Sequence, residues 1–351
     1  MEAVRKFLAR KNIVFSARRY FIDAMGAMAL GLFASLLIGT ILGTLGKYTG
    51  LSFLSDINTF ASASTGMAIG VAVAYALKAD PLVIFSCATV GYIGYALPTY
   101  FASIDKSLTA GPAGTFLAVV VAAEVARLVS KKTKVDILVT PIVTILVGFG
   151  ISKLVCPAVA YLMYALGNFI NVATTLHPFV MGIIISVVVG MILTLPISSA
   201  AICAMIGIAG LAGGAATVGC CAQMVGFAVI SFRENSWGGL VSQGLGTSML
   251  QMGNICRKPQ IWIPPTLAAA VLGPISTMVF KLECVGVSAG MGTCGLVGPI
   301  GIISATEHSA GMWVGLVLLC LVGPAVLSLI FNEIMRAFGW IKTGDMQLTL
   351  N

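Results

Sequence analysis

A polytopic all-α membrane protein is the fold class this sequence predicts, and three observations predict it. The chain has 351 residues, of which 58% are hydrophobic and only 9% charged, whereas a soluble domain carries about 25% charged residues. The mean hydropathy is +1.03. Its apolar runs are continuous rather than alternating, which suits helices and not a transmembrane β-barrel. The expected architecture is about ten transmembrane helices plus two re-entrant hairpins. They form one transmembrane domain over residues 20–339, between a basic segment 1–19 and a short cytoplasmic tail 340–351.

The first element is the basic segment. Six cations lie in the first twenty residues: Arg5, Lys6, Arg10, Lys11, Arg18 and Arg19. Val4, Phe7 and Leu8, with Phe15, fall on one helical face of their own, which suits an amphipathic helix on an anionic leaflet. A floppy basic tail is the alternative. A cleavable signal peptide is disfavoured, because the basic region is long and the apolar stretch after it is long enough to span.

The ten apolar spans follow at 20–45, 57–77, 82–103, 110–129, 137–153, 178–195, 198–214, 217–232, 262–280 and 311–334. Each is about the length of a membrane crossing. The cations test this order. With the N-terminus inside, the cytoplasmic face receives the six N-terminal cations together with Lys78, Arg127, Lys131, Lys132, Lys134, Arg233, Arg257, Lys258, Arg336 and Lys342. The outer face receives Lys47, Lys106, Lys153 and Lys281. Sixteen against four is the bias the positive-inside rule requires, with both termini cytoplasmic. The stretch 155–175, with Tyr161, Tyr164, Asn168 and Asn171, is expected as an interfacial or crossover helix.

Two stretches resist assignment as plain spans, 236–256 and 284–305. Residues 286–301 read GVSAGMGTCGLVGPIG, with six glycines, one proline and no charge. Glycine weakens helix interiors. Irregular backbone at membrane depth survives only where protein or a water-filled cavity satisfies it, and in transporters such elements line the solute site. Both stretches are expected to be re-entrant, and they point to transport. An internal repeat is also suggested. Residues 134–155 align with 258–279 without a gap, matching Lys134, Pro141, Val147, Ile151 and Ser152 to Lys258, Pro265, Val271, Ile275 and Ser276. Duplication is common in transporters, and chance matches are common in apolar sequence.

Polar residues in these surroundings are the site candidates. Gln243, Thr247, Ser248, Gln251 and Asn254 offer amides and hydroxyls, which recognise a neutral hydroxylated solute without a charge cost. Interhelical hydrogen bonding is the competing role. Ser288 and Thr293 lie in the glycine-rich element. Glu307 and His308 follow it; a carboxylate beside an imidazole binds hydroxyls or exchanges protons, and a surface loop pair is the plainer reading. Glu124 is expected to pair with Arg127 three residues on, and Asp136 to cap a helix start. Gln223, Asn168, Asn171 and His177 are weaker candidates, with His177 placed at an interface. The nine cysteines include no C-x-x-C pair and read as small apolar residues. With two histidines far apart, no metal site and no cofactor are expected. No nucleotide-binding or nucleic-acid motif is present.

Three stretches carry a resemblance. SKKTKVDILVTPIVTILVG at 130–148, QMGNICRKPQIWIPPTLAAAVLGPISTMVFK at 251–281 and SAGMGTCGLVGPIG at 288–301 resemble the phosphotransferase-system IIC family, and within it the perfringolysin-regulator-like branch. The resemblance runs from about residue 20 to 339. It implies a bacterial inner-membrane homodimer of ten-span subunits with two re-entrant hairpins. It also implies a sugar bound at membrane centre, an elevator-type motion, and phosphate supplied by a separate IIB protein. Glu307 and His308 stand where the family's glutamate and histidine contact the sugar hydroxyl. SATEHS at 304–309 matches the glucose-type motif only loosely, and the chain carries no IIB-like domain of its own. The expectation is therefore of no self-contained catalytic activity, with phosphotransfer only where a separate IIB partner exists. Two further functions are open: an ion-coupled or facilitated transporter of a non-sugar solute, whose half-membrane helix N-termini would suit an anion, and a membrane sensor that regulates gene expression. The expected partners are membrane lipid, a small solute, a IIB protein and a second copy; nucleic acid is not among them.

Overall fold

The computed structural model describes residues 16, 18–101 and 104–348. Segment 1–19 therefore lies almost wholly outside the described residues. The chain divides into two compact units, Met1–Gly39 with Asn58–Met163, and Thr40–Ile57 with Tyr164–Asn351. Among the described residues, six helices are long and apolar enough to cross a membrane. Helices Ser52–Ala63 and Thr65–Ala76, bent by 50° at Ser64, make a seventh if counted together.

The first unit begins with α1, Arg19–Lys47, whose early part belongs here. It continues through the later part of α2 (Ser52–Ala63), α3 (Thr65–Ala76), α4 (Pro81–Ala96), α5 (Gly111–Val129) and α6 (Asp136–Ala173) as far as Met163. Glycines let the backbones approach closely. A Cβ at Gly66 would meet the Gly91 carbonyl at 2.6 Å, and one at Gly31 the Ala68 carbonyl at 2.8 Å; small residues take this role where helices meet in a membrane. The Thr115 hydroxyl donates to the Gly91 carbonyl at 3.1 Å. One end of the unit holds buried charge. Arg127 pairs with Glu124 at 3.1 Å, as the i,i+3 spacing requires, and the Tyr20 hydroxyl donates to Glu124 at 3.0 Å. Asp136 opens α6, accepting from the Lys131 N–H at 2.8 Å and the Thr140 hydroxyl at 2.7 Å.

Two elements of this unit differ from expectation. The apolar run 82–103 is not all helix: α4 ends at Ala96, and an antiparallel pair follows, β1 (Thr99–Phe101) and β2 (Ile104–Leu108). Pro98 explains the stop, since a residue before proline is pushed out of the helical region; Leu97 sits at ψ 115. The class is therefore helical with one short β-hairpin. The separate helices expected at 137–153 and 155–175 are one helix of 38 residues with Pro141 and Pro157 inside it. At 1.5 Å per residue it is roughly 57 Å long, well beyond a hydrocarbon core of about 30 Å.

The second unit holds α7 (Pro178–Thr194), α8 (Ser199–Met205), α9 (Gly210–Ile230), α10 (Phe232–Val241), α11 (Met252–Arg257), α12 (Pro259–Phe280), α13 (Gly286–Ala289), α14 (Val297–Ala305) and α15 (Ala310–Ala337). The expected spans 198–214 and 217–232 are instead the seven-residue α8, a turn, and the 21-residue α9. Gly207 and Gly210 at φ +64° and +62° make that turn, a conformation open to glycine. Helix α9 is the hub, buried almost throughout. It meets α7 where a Cβ on Gly190 would strike the Gly219 carbonyl at 2.6 Å. The Ser186 hydroxyl ties α7 to α12 through the Ala269 carbonyl at 2.8 Å. His177 caps α7, its Nδ1 accepting from the Phe179 N–H at 3.4 Å, and is exposed. All nine cysteines are free, and eight are buried.

Gly219→Val places a branched side chain against the Ser186 backbone. Overpacking of this kind costs about 1–3 kcal/mol. The apparent melting temperature in detergent should fall clearly, while Gly150→Ala, whose Cβ meets nothing within 4 Å, should leave it unchanged or raised. Equal melting of the two variants would contradict the packing described.

Candidate functional site

Both glycine-rich stretches are broken. The first runs from α10 through a π-helical turn, Ser242–Gly246, and a single 3-10 turn, Ser248–Gln251, to α11. The break between the turns is Thr247, extended at φ −160° and ψ 142°, whose hydroxyl accepts the Met249 N–H at 3.1 Å. That is an N-cap, which satisfies an otherwise orphaned donor. A second break sits at Ser236, φ 51° and ψ −156°. The second stretch runs from α13 through a 3-10 turn, Cys294–Leu296, to α14. Gly292 and Gly295 stand at φ +53°, and Leu296 follows at φ +60°. A non-glycine residue there is strained, and such strain gathers at ligand sites and switches.

Each broken element is closed at its base. The base of the second is Glu283 and Thr306: the Glu283 N–H donates to the Thr306 hydroxyl at 2.9 Å, and that hydroxyl donates to the Glu283 carbonyl at 3.1 Å. Its entering strand pairs with the turn before α9, through Cys284 N–H to the Gly210 carbonyl at 3.2 Å and Gly286 N–H to the Ile208 carbonyl at 2.8 Å. The base of the first is gripped by residues 345–348. Asn235 on one arm and Gln251 on the other both donate to the Met346 carbonyl, at 2.8 and 3.0 Å. The two elements then touch at their tips, where the Thr293 hydroxyl donates to the Gly244 carbonyl at 2.5 Å. Beside this junction lies a cavity of about 270 Å³, lined by Ile41, Thr44, Leu45, Leu245, Gly295, Leu296 and Ile300.

The candidate residues distribute over these places. Gln243, Gln251 and Asn254 form one buried amide chain at the first base. Asn254 donates to Gln251 at 2.8 Å, Gln251 donates to Gln243 at 2.9 Å, and Gln243 donates to the Ser231 hydroxyl at 2.9 Å. Thr247 and Thr293 are buried near the tips. Ser288 is half-buried at the start of the second element, beside Gly301. Glu307 and His308 are exposed at the second base, with His308 Nε2 3.0 Å from the Ile303 carbonyl. The structure thus joins Thr293 to the first element and groups the three amides. Glu307 and His308 stand apart at the other base. Gln223 belongs to a second buried network, accepting from Trp262 Nε1 at 3.0 Å and donating to the Thr266 hydroxyl at 3.1 Å. Ser248 shares a 2.8 Å hydrogen bond with Thr194. Asn168 and Asn171 are exposed on α6.

The sequence reading missed Glu234, Asn235 and the segment that binds them. The bonds join residues 93 to 113 positions apart, and no local pattern announces such pairing. Asp345 anchors that segment through Lys258 at 3.1 Å. Burial pushes its carboxyl upward, but the Lys342 N–H and the Lys258 ammonium outweigh this and hold it below its ordinary value.

The family model described as "Phosphotransferase system, EIIC" matches residues 22–348. The chain belongs to the phosphotransferase-system EIIC family. The three stretches quoted above carried that resemblance, and the match spans both units and both broken elements. Family and apolar helices together make this a multi-pass bacterial membrane protein of the phosphotransferase-permease type. Nothing among curated proteins or solved structures matches the chain.

A carboxylate held below its unfolded value of about 3.9 adds stability above that pH. The contribution is lost as pH falls through the folded value. Asp345→Asn should therefore lower the apparent melting temperature at pH 7 and make no difference near pH 2. A deficit that persists unchanged at low pH would show that the Asp345 charge is not what matters.

Proposed function

We propose that this chain is a phosphotransferase-type permease that moves a small hydroxylated solute by elevator-type alternating access. One observation supports the reading above the others: two broken elements, each closed at its base, meet tip to tip at Thr293 and Gly244. Backbone left irregular in an apolar protein needs a reason, and lining a solute path is the reason that transporter architecture supplies.

In this reading, 236–256 and 284–305 are re-entrant hairpins within one domain of about ten spans over 20–339. Residues 1–19 lie on the inner leaflet of the bacterial cytoplasmic membrane, and 340–351 are cytoplasmic too. The cation bias supports that orientation. Thr247, Ser288 and Thr293 supply hydroxyls toward the solute. Glu307 with His308, at the second base, contacts the hydroxyl that accepts phosphate from a separate IIB protein, and Gln243, Gln251 and Asn254 supply amides only once their bonds to one another and to residues 346–347 open. The working form is a homodimer of the perfringolysin-regulator-like branch. A second reading rests on the cavity itself: its lining is apolar apart from Thr44, which favours a less polar, non-sugar solute carried without phosphate.

Uptake into proteoliposomes separates these. Sugars, polyols and nucleosides should enter saturably, faster with a IIB protein and phosphate donor present. Leu245→Trp, which fills the cavity, should abolish the uptake. Entry of apolar solutes alone, indifferent to IIB, favours the second reading. No saturable uptake or binding of any of them sinks both.

A further inference from the structure

The base of the first broken element grips the chain at residues 345–348, where a turn over 343–346 gives way to irregular backbone. Asn235 clasps it with both ends of its amide, Nδ2 donating to the Met346 carbonyl at 2.8 Å and Oδ1 accepting the Leu348 N–H at 2.7 Å. The Glu234 carboxylate accepts the Met346 N–H at 2.9 Å. From the other arm, Gln251 donates to the Met346 carbonyl and Asn254 to the Gln347 carbonyl, each at 3.0 Å. The Met346 side chain is fully buried among Phe227, Ile230, Ile255, Ile261, Met335 and Ile341. Lys258 meets Asp345 just before it. Backbone bonds of this kind hold any extended chain, and the side-chain socket supplies selectivity. The groove thus reads an acidic residue followed by a long, flexible apolar anchor.

The resident segment also has the build of something that can leave. It is joined to α15 through Gly339 at φ +71°, and Gly344 stands at φ +95° just before the clasped residues. Lys342, Thr343 and Gly344 between them are exposed. Outside its own turn, every polar contact described for 345–348 goes to residues 234–258, one arm or the other of the same broken element.

We propose that this groove is a peptide-binding site occupied by the chain's own 341–348 segment, which acts as a releasable strap. Seated, the strap staples the two arms of the first broken element together. Released, it frees the arms to move and bares Asn235, Gln251 and Asn254. The device is independent of which solute, if any, the protein carries.

Hydrogen exchange on the full-length protein in detergent tests it. Asn235→Ala and Met346→Asp should each speed amide exchange across 242–256 by about tenfold or more, with 286–305 unchanged, as expected for local opening. A synthetic peptide with the sequence of residues 340–348, added in excess to the Met346→Asp protein, should restore slow exchange. The same peptide carrying aspartate for methionine should not. Unchanged exchange across 242–256 in both variants would overturn the proposal, as would acceleration spread over the whole second unit or failure of the unaltered peptide to restore protection. If Met346→Asp does not fold, Asn235→Ala decides between local and spread acceleration.

Discussion

Backbone polar groups removed from water must find partners within the protein, and that requirement organises the second unit. A continuous helix meets it by itself. A broken element does not, so departures from helix around 232–257 and 283–306 are matched by side chains within the element or from elsewhere. Thr247 caps its own following turn. The Gly244 carbonyl, released by the π-helical turn, is taken by Thr293. The Glu283 N–H and carbonyl are both taken by Thr306. The amides Asn235, Gln251 and Asn254 are taken by carbonyls of 346–347. An unmade bond among buried groups costs about 1–3 kcal/mol, so irregular backbone is kept here only because side chains are positioned to receive it.

Those side chains are positioned by tight helix contact. Helix α9 carries Gly213, Gly214 and Gly219 against the carbonyls of Cys284, Leu282 and Ser186. A membrane offers little hydrophobic drive between helices, so association rests on close packing and hydrogen bonds. The second broken element is thereby pressed onto the most buried helix of the unit, and its base is fixed there. The first packs on the same helix, where a Cβ on Gly244 would stand 3.5 Å from Ala228, and is held besides by the 341–348 segment through side-chain bonds and one buried methionine.

The junction of the tips joins the two elements. Thr293 sits on the second and Gly244 on the first, with the cavity lined by Leu245, Gly295 and Leu296 directly beside the bond. Leu296 in the left-handed region is strained. Strain, a short hydrogen bond and an apolar cavity coincide there.

Composition and glycine content were enough to fix a helical membrane protein and the location of both breaks, because apolarity and low helix propensity are local properties; the family was legible in three specific stretches, at 130–148, 251–281 and 288–301. The pairing of Glu124 with Arg127 and the place of Asp136 at a helix start were legible for the same reason: each depends on residues within four or five positions, whereas the cap His177 makes was not expected. Helix continuity was less so. The stretches 137–153 and 155–175 are one helix with Pro141 and Pro157 inside it, whereas Pro98, before a short strand, does end one. What only the tertiary structure decided is who satisfies whom. The amide chain of Gln243, Gln251 and Asn254 was visible as polar residues, but its partners at 346–347 lie 93 to 95 positions away. Hydrogen bonds care about distance in space and not along the chain, so the strap, the closed bases and the meeting of the tips exist only once the helices have packed.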